Sequence, residues 1–148
     1  MFNSDGSKPN DGNEAVLVVD DDDAAREVMC AGLRKLGYRV LSAKNGEDAL
    51  TVAGRHSAPI HLVISDMVMP QMNGVQLFSR LRGWYPAMRF LFVSGYLEPF
   101  AADADDESTA FLPKPFTIDR LARVGRTLLD RGRPDRITQP RLRAISDC

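Results

Sequence analysis

Four aspartates stand in a row in VLVVDDDDAAR, residues 16–26, directly behind a run of aliphatic residues. Further along, LVISD ends on Asp66, FVS ends on Ser94 and FLPK ends on Lys114. Carboxylates brought together repel one another, and such a cluster is tolerable only with compensating positive charge. An oxygen-only set of this kind suits a hard divalent cation, most simply Mg²⁺, which keeps several waters and uses one or two carboxylates. Lys114 would add a fixed ammonium and Ser94 a hydroxyl. Those are the donors and cations that the oxygens of a phosphoryl group require. The acceptor is then a carboxylate, because aspartate can act as a nucleophile and form an acyl phosphate.

These residues can act together only if the fold gathers them. Short apolar runs alternate with longer amphipathic ones, a pattern of βα units around a parallel sheet. The predicted strands are AVLVV (15–19), YRVLS (38–42), HLVIS (61–65), RFLFV (89–93) and AFL (110–112). A first helix is expected from Asp23 to Leu36, with Val28, Met29, Leu33 and Leu36 on its inward stripe and Gly37 as its stop. A short second helix starts at Asn45, an N-cap residue, with Glu47 and Asp48 in its first turn, where the helix dipole favours acids. The third follows Gly74, carries Val75, Leu77, Phe78 and Leu81, and ends near Gly83. A fourth is placed in LEPFAADADDEST, and the last runs from Ile118 to Asp130 with Leu121, Val124, Leu128 and Leu129 inward. Five strands and five helices in this alternation predict an α/β fold, an open doubly wound parallel sheet. Such sheets bind ligands outside the carboxyl ends of their strands. Asp20, Asp21, Asp66, Ser94 and Lys114 all fall at carboxyl ends.

Length and composition set the outer bounds. A chain of 148 residues with 44% hydrophobic content suits one compact unit. Residues 14–131 are expected to form it, with a flexible segment 1–13 before it and a flexible basic tail, 132–148, after it. No run approaches the roughly 18–20 apolar residues of a membrane span, and the first residues lack the pattern of a signal peptide, so a cytoplasmic protein is the default. Cys30 and Cys148 make neither a disulfide framework nor a metal spacing. Up to Pro113 there are 10 Lys/Arg against 16 Asp/Glu, and from Lys114 onward 9 against 4. Solvated arginines on a last helix account for that asymmetry, so direct nucleic-acid binding is disfavoured.

The combination VLVVDD, LVISDMVMPQMNG, FVSGY and FLPKPF, in this order, resembles the receiver domain of two-component response regulators over about residues 14–131. The resemblance implies a flavodoxin-like sheet of strand order 2-1-3-4-5. It also implies Asp66 as phosphoacceptor, Asp20 and Asp21 as the acidic pair holding Mg²⁺, and the backbone carbonyl of Val68 as a further metal ligand. By the same likeness Ser94 is the switch hydroxyl, Lys114 the lysine that contacts the phosphoryl group, Phe111 the switch aromatic, and the Lys114–Pro115 bond cis. The phosphodonor would be a histidine kinase or a histidine phosphotransfer protein. FVSGY and FLPKPF resemble receivers fused to hybrid histidine kinases. The partner face would be the fourth helix, fifth strand and fifth helix, where the DADDE run and Arg120, Arg123 and Arg126 would allow a charge-paired homodimer.

Asp22 and Asp23 are assigned to capping the first helix, through orphan backbone donors. Many receivers carry polar side chains two positions after the phosphoacceptor and after the switch hydroxyl. Val68 and Tyr96 stand there in this chain, and neither suits the orientation of an attacking water, which predicts slow self-dephosphorylation. Met67, Met69 and Met72 read as packing and loop residues, and His56 and His61 as residues without chemistry. Two rivals remain. A haloacid-dehalogenase-like phosphatase would use Asp20 and Asp22 as a DxD pair, but needs a second acidic pair after a later strand. A phosphorylation-independent interaction module would not need all five site residues.

Overall fold

The computed structural model describes residues 14–95 and 107–131. Its strands are β1 (Ala15–Val19), β2 (Arg39–Ala43), β3 (Leu62–Asp66), β4 (Arg89–Ser94) and β5 (Thr109–Pro113). They form one sheet in the order β2-β1-β3-β4-β5, and every pairing is parallel. Parallel neighbours cannot be joined by a tight turn. The first three connections accordingly contain helices, α1 (Asp23–Lys35), α2 (Gly46–Arg55) and α3 (Gly74–Trp84), and α4 (Ile118–Arg131) follows β5.

The strand order is the expected one, while the described residues hold four helices. Of the helix expected in LEPFAADADDEST, residues 97–106 lie outside the described residues, and Glu107 and Ser108 form a turn leading into β5. The segments 1–13 and 132–148, for which flexibility was expected, also lie outside them.

Alternation along the strands builds two cores. Val16 and Val18 of β1 pack with Met29, Leu33, Leu121 and Leu128 on one face of the sheet. Leu17 and Val19 join Ala49, Ala53, Leu77 and Leu81 on the other. Burial on both faces is why β1 and β3 read as nearly unbroken apolar runs. Each fully buried Leu, Ile or Val side chain contributes roughly 1.5–3 kcal/mol.

Helix α1 shows how local sequence sets the frame of the site. The Asp22 carboxylate accepts from the backbone N–H groups of Ala24 and Ala25, so Asp22 is the N-cap. At the other end Gly37 adopts φ 100°, and the N–H groups of Gly37 and Tyr38 donate to the carbonyls of Arg34 and Leu33. That closure is a Schellman motif, which needs glycine at the left-handed position. Val28 corrects the expected stripe, being 59% exposed. Successive helical residues are about 100° apart. The buried line runs through Met29, Cys30 and Leu33, which turns Val28 out to solvent.

At the amino-terminal pole of the sheet, Arg126 of α4 grips both carboxylate oxygens of Glu14, at 2.8 and 2.9 Å. It also reaches the Tyr38 hydroxyl at 3.3 Å and Asp130 at 3.2 Å. Arg126 is therefore engaged within its own domain. Arg123 is bound to Asp119 at 2.9 Å.

Candidate functional site

Parallel register brings the strand ends level. Val19 of β1 pairs with Ser65 of β3, Asp66 with Val93, and Ser94 with Pro113. The next residue after β1 is Asp20, and the next after β5 is Lys114, so the sheet itself delivers these side chains to one edge. Asp66 and Ser94 are the last residues of their strands, one position further into the sheet than the apolar runs suggest.

Asp20, Asp21 and Asp66 each offer a carboxylate oxygen within 4.8 Å of the others. Asp20 is completely buried and Asp66 nearly so, whereas Asp21 is exposed. Asp20 Oδ1 accepts from the Asp22 N–H at 2.9 Å, but its buried Oδ2 has no hydrogen-bond partner. Asp66 Oδ1 accepts from the Val68 N–H at 3.2 Å, and Oδ2 from Lys114 Nζ at 3.2 Å. Lys114 Nζ lies 3.7 Å from Asp20 Oδ2, bridging the two buried acids. The Lys114 backbone N–H donates to the Ser94 carbonyl at 2.7 Å, and the Lys114–Pro115 bond is cis. Ser94 is fully buried. Phe111 is half-buried on β5, in register with Phe92.

The electrostatics of this group are one-sided. Burial pushes the Asp20 carboxyl above its ordinary range, and Asp66 and Asp21 add to the shift, against the Asp22 N–H and Lys114. For Lys114, burial works against the charged form, yet Asp20 and Asp66 outweigh it and hold the ammonium above its ordinary range. Two buried carboxylates therefore share the Lys114 ammonium, with the exposed Asp21 carboxylate beside them. A buried carboxylate oxygen without a donor, beside two more carboxylates, is a donor set that fits a hard divalent cation.

The chain matches the response regulator receiver domain over residues 16–124. It belongs to that family.

This receiver domain is 38% identical over 122 residues to the sensor kinase CckA of Brucella abortus, covering 81% of this chain and 13% of that protein. It is 34% identical over 138 residues to the response regulator MprA of Mycobacterium leprae, covering 89% of this chain and 58% of the relative. The chain thus spans less than two thirds of the length of either curated relative. Among solved structures, the receiver domain of the hybrid histidine kinase CckA superimposes with a TM-score of 0.66 at 39% identity, covering 77% of this chain and 98% of that one. The Vibrio cholerae chemotaxis protein CheY4 gives 0.68 at 28% identity, covering 75% and 94%.

Of the residues expected at the site, the fold of this receiver gathers Asp20, Asp21, Asp66 and Lys114 at one point and sets Ser94 on the adjacent strand end. Val68 contributes its N–H to Asp66, and the residue is 55% exposed. Asp22 is occupied by the helix cap, so a DxD pair made of Asp20 and Asp22 is not formed. The only three-carboxylate group among the described residues is the one above, without the second acidic pair that a haloacid-dehalogenase-like site needs. His61 has a structural role, Nδ1 accepting from the Ala15 N–H at 3.0 Å. Met67 and Met69 are buried, and Met72 packs on the second core. No helix among the described residues is long and apolar enough to cross a membrane.

Two supporting residues escape a reading of motifs. Gly74 opens α3 so close to the acceptor strand that a Cβ there would stand 2.8 Å from the Asp66 carbonyl oxygen. The glycine ending MVMPQMNG is its only signal in sequence. Arg26 is the other, reaching the backbone of Asp20 at 2.8 Å.

Proposed function

We propose that Asp66 is the phosphoacceptor of a receiver unit spanning residues 14–131, with 1–13 and 132–148 as segments outside it. In this reading Asp20, Asp21 and Asp66, with the main-chain carbonyl of Val68, hold Mg²⁺. The convergence of three carboxylates at the carboxyl edge of the sheet, two of them paired with Lys114, is the observation that carries it. When bound, the cation would neutralise charge on the transferring phosphoryl group.

The donor is a histidine kinase or a histidine phosphotransfer protein. An oxygen of the Asp66 carboxylate attacks the phosphorus, the P–N bond to the donor imidazole breaks, and the imidazole keeps the electron pair and takes a proton. The product is an aspartyl phosphate. Lys114 stays paired to the acceptor side chain and contacts the phosphoryl oxygens, while the Val68 N–H orients Asp66. Ser94 moves toward the added group and Phe111 follows it, changing the surface of β5 and α4. That face takes the downstream partner, and a homodimer through it would draw on Arg120. The reading assigns a cytoplasmic site of action, no direct nucleic-acid contact, and no turnover beyond slow self-dephosphorylation.

The test is incubation with acetyl phosphate and Mg²⁺, read by intact mass. Wild type should gain one phosphoryl group and Asp66→Asn none; a wild type that stays unmodified, or equal modification of both, refutes the assignment. Val68→Asn should shorten the phosphoryl lifetime, and equal lifetimes would sink the inference of slow hydrolysis.

A further inference from the structure

The acidic loop after β1 is gripped by a residue outside both the acid cluster and the helix cap. Arg26 lies in α1 with its side chain only 17% exposed. Its Nη1 donates to the main-chain carbonyl of Asp20 at 2.8 Å, and its Nη2 lies 2.6 Å from an Asp23 carboxylate oxygen. Its own N–H donates to the Asp22 carbonyl at 2.9 Å, continuing the helix. One rigid fork thus spans the loop from its first aspartate to its last.

The carbonyl that Arg26 holds belongs to the peptide joining Asp20 to Asp21. The plane of that peptide sets the direction in which the Asp21 side chain leaves the chain. Asp20 has a separate anchor in the Asp22 N–H. Exposed Asp21 takes its direction from the backbone. Resting on the metal-site reading above, we propose that Arg26 is a positioning residue for the cation: it locks the Asp20–Asp21 peptide so that both carboxylates address one ion.

The guanidinium has two opposed effects there. Its charge lowers the attraction of the acids for a cation, whereas its hydrogen bonds preorganise the ligands. Groups that orient metal ligands are commonly worth roughly 10–100-fold in affinity. Preorganisation also discriminates between ions, because Mg²⁺ demands near-octahedral geometry while Ca²⁺ accepts irregular sites. Loss of charge alone would strengthen binding of both.

Calorimetric titration of Mg²⁺ and Ca²⁺ into wild type, Arg26→Met, Arg26→Lys and Asp20→Asn separates these outcomes, with far-UV circular dichroism confirming each fold. Arg26→Met should lose on the order of tenfold in Mg²⁺ affinity and less for Ca²⁺. Arg26→Lys keeps the charge without the fork and should also weaken Mg²⁺. Unchanged or tighter Mg²⁺ binding in Arg26→Met overturns the proposal. If that variant fails to fold, unchanged binding in Arg26→Lys does the same. A wild type that binds no Mg²⁺, or an Asp20→Asn variant that binds it equally well, refutes the metal site itself.

Discussion

Replacing Asp20 with asparagine should make the metal-free protein more stable. The carboxylate is fully buried, and its Oδ2 has no hydrogen-bond partner. At an effective dielectric of about 20, unit charges 4–5 Å apart interact by about 3–4 kcal/mol. Repulsion from Asp66 is therefore of the same order as attraction to Lys114, and exposed Asp21 is screened by solvent. What survives this cancellation is an unsatisfied buried acceptor, worth about 1–3 kcal/mol. Asparagine keeps the shape and can still accept from the Asp22 N–H. The expected gain is about 1–2 kcal/mol, or roughly 3–10 °C in melting temperature for a domain of this size. Because burial raises the Asp20 carboxyl, the folded chain holds that proton where the unfolded chain has released it. Metal-free wild type should lose stability as pH rises through the interval just above the ordinary carboxylate range, and Asp20→Asn should lose less. Mg²⁺ at a hundredfold its dissociation constant should add about 2.7 kcal/mol to wild type and far less to the variant. Urea unfolding followed by circular dichroism, in EDTA and in Mg²⁺, measures all of these. A variant less stable than wild type in EDTA, or equally stabilised by Mg²⁺, refutes the reasoning.

Arg126→Met removes both bonds to a Glu14 side chain only 10% exposed, and should cost about 3–5 kcal/mol. A double-mutant cycle with Glu14→Gln should return a coupling above about 1 kcal/mol, and additivity would refute a stabilising bridge. Gly74→Ala places a methyl 2.8 Å from the Asp66 carbonyl oxygen; it should destabilise by about 1–3 kcal/mol and slow phosphorylation by acetyl phosphate, and an unchanged rate counts against the close approach. Burial pushes the Cys30 thiol up, so in a Cys148→Ser background alkylation at mildly alkaline pH should wait for denaturation; native labelling at the speed of a free thiol would contradict it.

Much of the sheet is legible because apolar runs stop where the chain meets charge. AVLVV is β1 to the residue, and Asn45 and Gly37 mark helix ends through backbone chemistry that few other residues supply. The one-residue shifts at Asp66 and Ser94 have a common cause, since ladder pairing such as Asp66 with Val93 is made by the backbone and ignores side-chain polarity. Val28 misleads because it adjoins Met29 in sequence, and only the placing of Cys30 on the buried line turns it outward. Arg26 leaves no trace because its key acceptor is a carbonyl, which every residue has. Arg126 finds its partner 112 positions away, a distance over which charge counting reports sign but not pairing.

The two poles of this sheet treat buried charge in opposite ways. At the amino-terminal pole Glu14 and Arg126 satisfy each other bidentately, with Tyr38 at the margin. At the carboxyl pole two buried carboxylates share one ammonium, and an oxygen of one is left without a donor. Stability alone would favour an amide at position 20 or a second lysine, and either would fill the place where a cation fits. On the proposed reading the shortfall is what links ion binding, phosphoryl transfer and conformation. A phosphoryl group carries about −1.5 to −2 charge in place of the single charge of the Asp66 carboxylate, and on the same reading Lys114 would follow that charge outward. Lys114 lies one residue past β5, with its N–H on the carbonyl of Ser94. On that reading a shift of the ammonium would be felt first at the end of β5, the strand that carries Phe111 and leads into α4.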